Sequence, residues 1–109
     1  MLVELREYEI AEGAMADFVK VFDEEVVPYQ TSKGIVFLGS YVSEENPNTF
    51  IWLRGFKDQA ELDRIYKAIY ESEHWLTVIK PKVADILLKK KGTLIRPTSA
   101  GQAFIDRQA

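Results

Sequence analysis

Residues 35–43 and 49–56 read IVFLGSYVS and TFIWLRGF, two runs of β-branched and aromatic residues separated by the turn sequence EENPN at 44–48. Runs of this length and composition around such a turn predict a β-hairpin. A strand in an antiparallel sheet with one face in water alternates apolar and polar residues. These two do not, because each puts bulky side chains on both faces. Gly39 and Gly55 interrupt the strands, as glycines do at a bulge or a close backbone approach.

The rest of the chain supplies the elements around this hairpin. Residues 2–10 (LVELREYEI) alternate, with Val3 and Leu5 on one face and Glu4, Arg6 and Tyr8 on the other, and predict a first strand. In MADFVKVFDEEVVPYQ (15–30), Met15, Phe18, Val19, Phe22 and Val26 recur at helical spacing, and Pro28 is expected to end or kink that helix. DQAE (58–61) is a capping box opening a helix with the stripe Leu62, Ile65, Tyr66, Ile69 and Tyr70. Ser72 is placed to cap a further helix beginning EHWLTVI, with a kink expected at Pro81. Val83, Ile86 and Leu87 continue its stripe, Lys89–Lys91 fall at its end, where cations meet the negative pole of the dipole, and Gly92 follows. TLIRP (93–97) is a short last strand, and residues 98–109 are a polar tail.

This order is the βαββαβ pattern of an α+β ferredoxin-like fold, a four-stranded antiparallel sheet with its first and third strands side by side in the centre. Its helices cover one face only. The other would expose an apolar patch beyond the few hundred Å² that monomers tolerate. Each large side chain covered there contributes about 1.5–3 kcal/mol. A second copy of the chain is the simplest cover, and two such sheets face to face make a two-fold symmetric eight-stranded α/β barrel.

Glu4, Arg6 and Tyr8 are then expected on the face away from the helices, toward the barrel interior or its mouth, because sharing the apolar helix face would carry a large desolvation cost. Trp52 and Arg54 stand on the neighbouring third strand. Glu4 paired with Arg6 or Arg54 is a structural ion pair. Two arginines against one acid also allow a pocket in which a guanidinium anchors a substrate carboxylate or enolate, walled by Trp52 and Tyr8.

Bulk composition sets the outer bounds. A chain of 109 residues with 47% hydrophobic and 28% charged residues is expected to form one globular domain. The net charge of −3 argues against nucleic acid as a partner. The absence of cysteine removes disulfides, thiol catalysis and cysteine-ligated metals, and no cofactor is expected. The N-terminus is too short and too charged for a signal peptide or membrane span, so the expected location is cytoplasmic, without membrane partners. Phosphate loops, dinucleotide turns and nucleophile elbows are absent.

The opening ELREY, the LGSY and FIWLRGF strands, DQAELDR, the helix starting at HW and the closing IRP resemble the NIPSNAP family of dimeric α/β-barrel domains, over about residues 2–97. The resemblance implies a ferredoxin-like fold and a homodimer, and little about a reaction. Members of that family are known for association with vesicles, mitochondria and other proteins, and the mitochondrial association is not expected to transfer to a chain with this N-terminus.

His74, the only histidine, sits at a helix start beside Trp75. It reads as a helix-entry residue. By likeness to monooxygenases and haem-degrading oxygenases that share the barrel, it is also the candidate base or axial ligand, with Trp75 and Trp52 as walls and Arg6 or Arg54 as anchor for an oxyanion or propionate. Fold likeness alone does not fix function. A metal site of the usual type needs more than one histidine. Three functions follow as expectations: a homodimer binding a small anionic or aromatic molecule through Glu4, Arg6, Tyr8, Trp52, Arg54 and Trp75; a cofactor-independent monooxygenase or isomerase using His74 or a tyrosine, with Tyr66 and Tyr70 expected in the core and their hydroxyls at its rim; and a non-catalytic interaction module.

Overall fold

The computed structural model describes residues 1–108. Its elements are β1 (Leu2–Ile10), α1 (Met15–Val21), a π turn (Phe22–Val26), α2 (Val27–Ser32), β2 (Val36–Val42), β3 (Thr49–Phe56), α3 (Gln59–Tyr70), a second π turn (Trp75–Ile79), α4 (Lys80–Val83), β4 (Leu87–Ile95) and α5 (Ser99–Gln108). The strands form one antiparallel sheet in the order β2-β3-β1-β4, with β1 and β3 central as expected. The fold is α+β and ferredoxin-like.

The helices pack Phe18, Phe22, Val26, Leu62, Ile65, Ile69 and Ile79 against one face of the sheet. Pro28 does not end its helix, which runs on to Ser32. The π turn before it resolves the conflict: the Val27 amide donates to the Phe22 carbonyl, five residues back. The same device precedes Pro81, where the Lys80 amide donates to the Trp75 carbonyl. A wider turn makes room where a proline ring would otherwise press on the preceding carbonyl. At the start of α3, Asp58 accepts from the Glu61 amide at 2.9 Å, but Glu61 does not reach back; its carboxylate pairs with Arg64 instead.

The Lys89–Lys91 run is not a helix end. α4 stops at Val83 and the lysines lie in β4. β1 is long enough to pair from Ile10, opposite Leu87, to Val3, opposite Ile95. That register sets Lys91 opposite Glu7 and Lys89 opposite Glu9, with Lys89 Nζ 3.7 Å from Glu9 Oε2. Opposite charges across a ladder favour the pairing, and lysines on an outer strand discourage edge-to-edge association. The ladder shifts between Glu9 and Ile10, leaving Leu88 as the extra residue of a bulge. A second shift, between Phe37 and Ser40 in β2, holds Gly39 at φ +124°, a conformation side chains rarely adopt.

The expected assignment of faces is reversed. Glu4, Arg6 and Tyr8 lie on the helix side with Phe50, Trp52, Arg54 and Phe56, and it is Val3, Leu5, Ile51 and Leu53 that face away. The desolvation argument omitted the partners that the helices bring: hydroxyls of Tyr66 and Tyr70 and the amide of Gln30 meet the charged groups. The premise about the other face stands with a different set of residues. Val36 and Ile95 are exposed there and Leu5, Ile51 and Leu53 partly so. α5 buries none of its residues, and its Phe104 remains 60% exposed beside Met1, Val36 and Leu38.

Candidate functional site

Beneath the helices, the middle of β1 and β3 carries a buried cluster of charges. Register places Glu4 opposite Arg54 and Arg6 opposite Trp52. Arg54 is fully buried: its Nε donates to Glu4 Oε1 at 2.8 Å, and its Nη1 donates to the Gln30 carbonyl oxygen and, at 2.8 Å, to the Tyr70 hydroxyl. Nη2 also stands 2.8 Å from Glu4 Oε1, but with no well-directed hydrogen bond, so that contact is chiefly coulombic. The guanidinium lies within 5.6 Å of the ring centres of Trp52, Phe56, Tyr66 and Tyr70. This aromatic wall suits the weakly hydrated face of arginine.

Glu4 is the hub. The Tyr66 hydroxyl lies 2.6 and 2.5 Å from its two carboxylate oxygens, and Arg6 Nη1 approaches Oε2 at 3.4 Å. Burial pushes the Glu4 carboxyl up, while the Tyr66 hydrogen bond and the two guanidiniums pull it down harder, so it stays ionised. Burial raises the Tyr66 phenol to about 12, and burial raises Tyr8 as well, so both remain neutral hydrogen-bond donors.

The folded state therefore holds the Glu4 proton less tightly than the unfolded chain does. The cluster's contribution is complete above the ordinary glutamate pKa, about 4.3, and is lost as pH falls through the lower folded value. Urea unfolding of wild type is expected to lose stability steeply as pH falls below about 4.5, and Glu4→Gln is expected to flatten that slope. Parallel slopes would mean that other carboxylates carry it.

Arg6 is held more loosely than Arg54. Its Nε donates to the Tyr8 hydroxyl at 3.1 Å, its Nη1 contacts are long, and its Nη2 donates to no described residue. The Tyr8 hydroxyl accepts from Arg6 and, at 3.0 Å, from Trp52 Nε1, and Tyr70 accepts from Arg54 and Gln30. Neither hydroxyl donates to an acceptor among the described residues. Arg6, Tyr8 and Tyr70 line one cavity of about 40 Å³, closed by Phe22, Trp75 and Leu87. Trp75, Val83, Leu87 and Lys90 also line an adjoining groove of about 400 Å³ between α4 and β4.

The backbone of β4 leaves room for this cluster at Gly92. A Cβ there would stand 2.7 Å from Glu4 Oε2 and 3.4 Å from an Arg6 nitrogen. The carboxylate is tied to three partners and has little freedom to retreat. Gly92→Ala is expected to destabilise by about 1–3 kcal/mol, read by chemical denaturation. A loss under about 0.5 kcal/mol would mean the cluster is loosely held.

Sequence reasoning singled out Glu4, Arg6, Tyr8, Trp52, Arg54, Trp75 and His74. The structure brings the first five together and sets Trp75 at the cavity wall, edge-on to Tyr70 at 5.1 Å. His74 is apart from them: exposed, 4.7 Å from the Tyr29 ring, and outside the cavity lining. Gln30 was not singled out, and the Tyr66 and Tyr70 hydroxyls, expected at the rim of the core, instead meet Glu4 and Arg54 inside it. The signal for Gln30 was available, since it continues the buried series Phe18, Phe22, Val26 at four-residue intervals.

The sequence matches the NIPSNAP family model over residues 3–102. The fold is similar to protein Atu4242 from Agrobacterium tumefaciens, at 23% identity over 93% of this chain and 97% of that one, with a TM-score of 0.84. It is similar to an uncharacterised NIPSNAP domain protein from Burkholderia xenovorans, at 19% identity over 91% and 96%, with a TM-score of 0.82. A structure described as an antibiotic biosynthesis monooxygenase shares the fold at 18% identity over 90% of this chain and 99% of that one, with a TM-score of 0.66. No curated protein matches the chain.

Proposed function

The chain belongs to the NIPSNAP family, and from that premise we propose that it works as a homodimer binding a small anionic molecule in the cavity between sheet and helices. The observation that carries this reading is a charge imbalance. Two guanidiniums, Arg6 and Arg54, share one carboxylate, Glu4; the undirected Nη2 of Arg54 is sealed against that carboxylate, whereas Arg6, with donors of its own to spare, lines the cavity. A buried positive charge without full compensation is costly, and an anion at Arg6 would supply what the protein does not. Trp75 and Tyr70 offer aromatic walls beside it.

Homodimerisation rests on the half-exposed apolar rows of Val36, Leu5, Ile51, Leu53 and Ile95, on the face that the helices leave open. In this reading residues 1–97 are the folded domain and the segment after Pro97 is a tail over the paired sheets. Among the described residues no helix is long and apolar enough to cross a membrane; a cytoplasmic location is part of the proposal. The enzymatic reading gains nothing from His74, whose ring is outside the cavity. A purely structural module would call for the Arg6 guanidinium, like that of Arg54, to be sealed away from any cavity.

A panel of small carboxylates, benzoate and salicylate included, tests the reading by thermal denaturation. The expected result is a concentration-dependent rise in Tm for wild type that disappears in Arg6→Gln, each protein being compared with its own ligand-free melt. Absence of any rise, or a rise that survives Arg6→Gln, rejects it.

A further inference from the structure

The chemistry of the cavity narrows the class of occupant, on the basis of the anion-binding reading above. We propose that the ligand is a linear aliphatic carboxylate, bound with its head group inward at Arg6, Tyr8 and Tyr70 and its chain lying in the groove between α4 and β4.

The inner end is a set of donors. The Tyr8 and Tyr70 hydroxyls each accept from two protein groups, so each has its own hydrogen left to give, and Arg6 adds Nη2. Tyr8 is 8% exposed and Arg6 12% on its side chain, so these donors are largely removed from solvent competition. Among the described residues the only side-chain carbonyl lining this cavity is that of Gln30, and its oxygen is occupied by Arg54. A site whose side chains offer donors and no free acceptor favours an oxyanion over an alcohol, amide or amine.

Size restricts what stands behind that oxyanion. A cavity of about 40 Å³ holds a head group, whereas an apolar cavity of about 150 Å³ is what accommodates a benzene ring. An aryl carboxylate would have to leave its ring in the opening. An alkyl chain is narrow enough to continue outward, and the outward path is the right kind of surface. Trp75, Leu76, Val83, Leu87 and Leu88 give the groove aliphatic and aromatic walls, and its volume of about 400 Å³ falls in the range of small-molecule sites. The bulge in β4 places Leu88 at this rim, where it is 58% exposed. Lys80, Lys89 and Lys90 edge the same groove and draw anions toward it.

Isothermal titration of the full chain with hexanoate, octanoate, decanoate, decan-1-ol and benzoate tests the assignment, with tryptophan fluorescence as a second readout because Trp75 lines the groove. Affinity is expected to rise about two- to fourfold per added methylene, with decanol at least about tenfold weaker than decanoate. Leu88→Glu, an exposed substitution that should fold normally, is expected to abolish the chain-length dependence. Tyr8→Phe is expected to weaken decanoate and leave decanol unchanged. Benzoate and hexanoate binding as tightly as decanoate would overturn the linear chain while the anion site at Arg6 survives. Failure of every carboxylate to bind would overturn both.

Discussion

Replacing Arg54 with methionine is expected to lower the folding free energy by about 3–5 kcal/mol, the range for breaking a buried pair by removing one partner. The side chain is fully buried and satisfies Glu4, Gln30 and Tyr70 at once. Methionine has a comparable apolar reach, so the loss reflects the carboxylate and amide left without their donor more than lost packing. Most domains have about 5–15 kcal/mol to lose, so the variant should remain measurable in urea but with a clearly lower midpoint. Adding Glu4→Gln should recover part of the loss, because the orphaned charge is gone, and the double variant should fall short of the sum of the singles. A loss below about 1 kcal/mol for Arg54→Met would mean that Glu4 draws its stabilisation from Arg6 and Tyr66 alone.

The second large effect concerns assembly. Leu53 sits in the middle of β3, opposite Leu5, on the face turned away from the helices. In a two-fold pairing of sheets each substitution occurs twice in one interface. Leu53→Glu is expected to weaken the dimer by at least about a hundredfold in Kd, equivalent to burying one uncompensated polar group, and to leave the helix-side cluster intact. Sedimentation of wild type as a dimer at micromolar concentration, and of Leu53→Glu as a monomer with an unchanged circular dichroism spectrum, is the expected pair of results. A wild-type monomer under those conditions would remove the dimer altogether.

The order of strands and helices was legible because each rests on local signals: the alternation in 2–10, the hairpin around EENPN, the Asp58 cap, the helical stripes. Two errors had nonlocal causes. Glu4, Arg6 and Tyr8 were assigned to the wrong face because a charge in a strand was weighed against the apolar residues of its own strand, whereas its partners come from α2 and α3, in Gln30, Tyr66 and Tyr70. Tyr66 and Tyr70 stand four apart on the buried stripe of α3, and that spacing is the clue that two hydroxyls enter the core together. The lysines of β4 were read as a helix end because Pro81 and Gly92 bracket them like helix punctuation. Their partners, Glu7 and Glu9, are about eighty residues earlier in the chain, and only the register reveals them. Nothing in the local sequence marks Gly92 as the hollow for a carboxylate.

The π turn at Phe22–Val26 takes up one residue more than an α turn does. Deleting a single residue from it would close the turn to α-helical spacing and press the Pro28 ring on the carbonyl four residues back, in the helix whose Gln30 holds Arg54. Length variation in this stretch is therefore closed to the protein by geometry, even though Asp23 and Glu24 within it face solvent and could be exchanged freely.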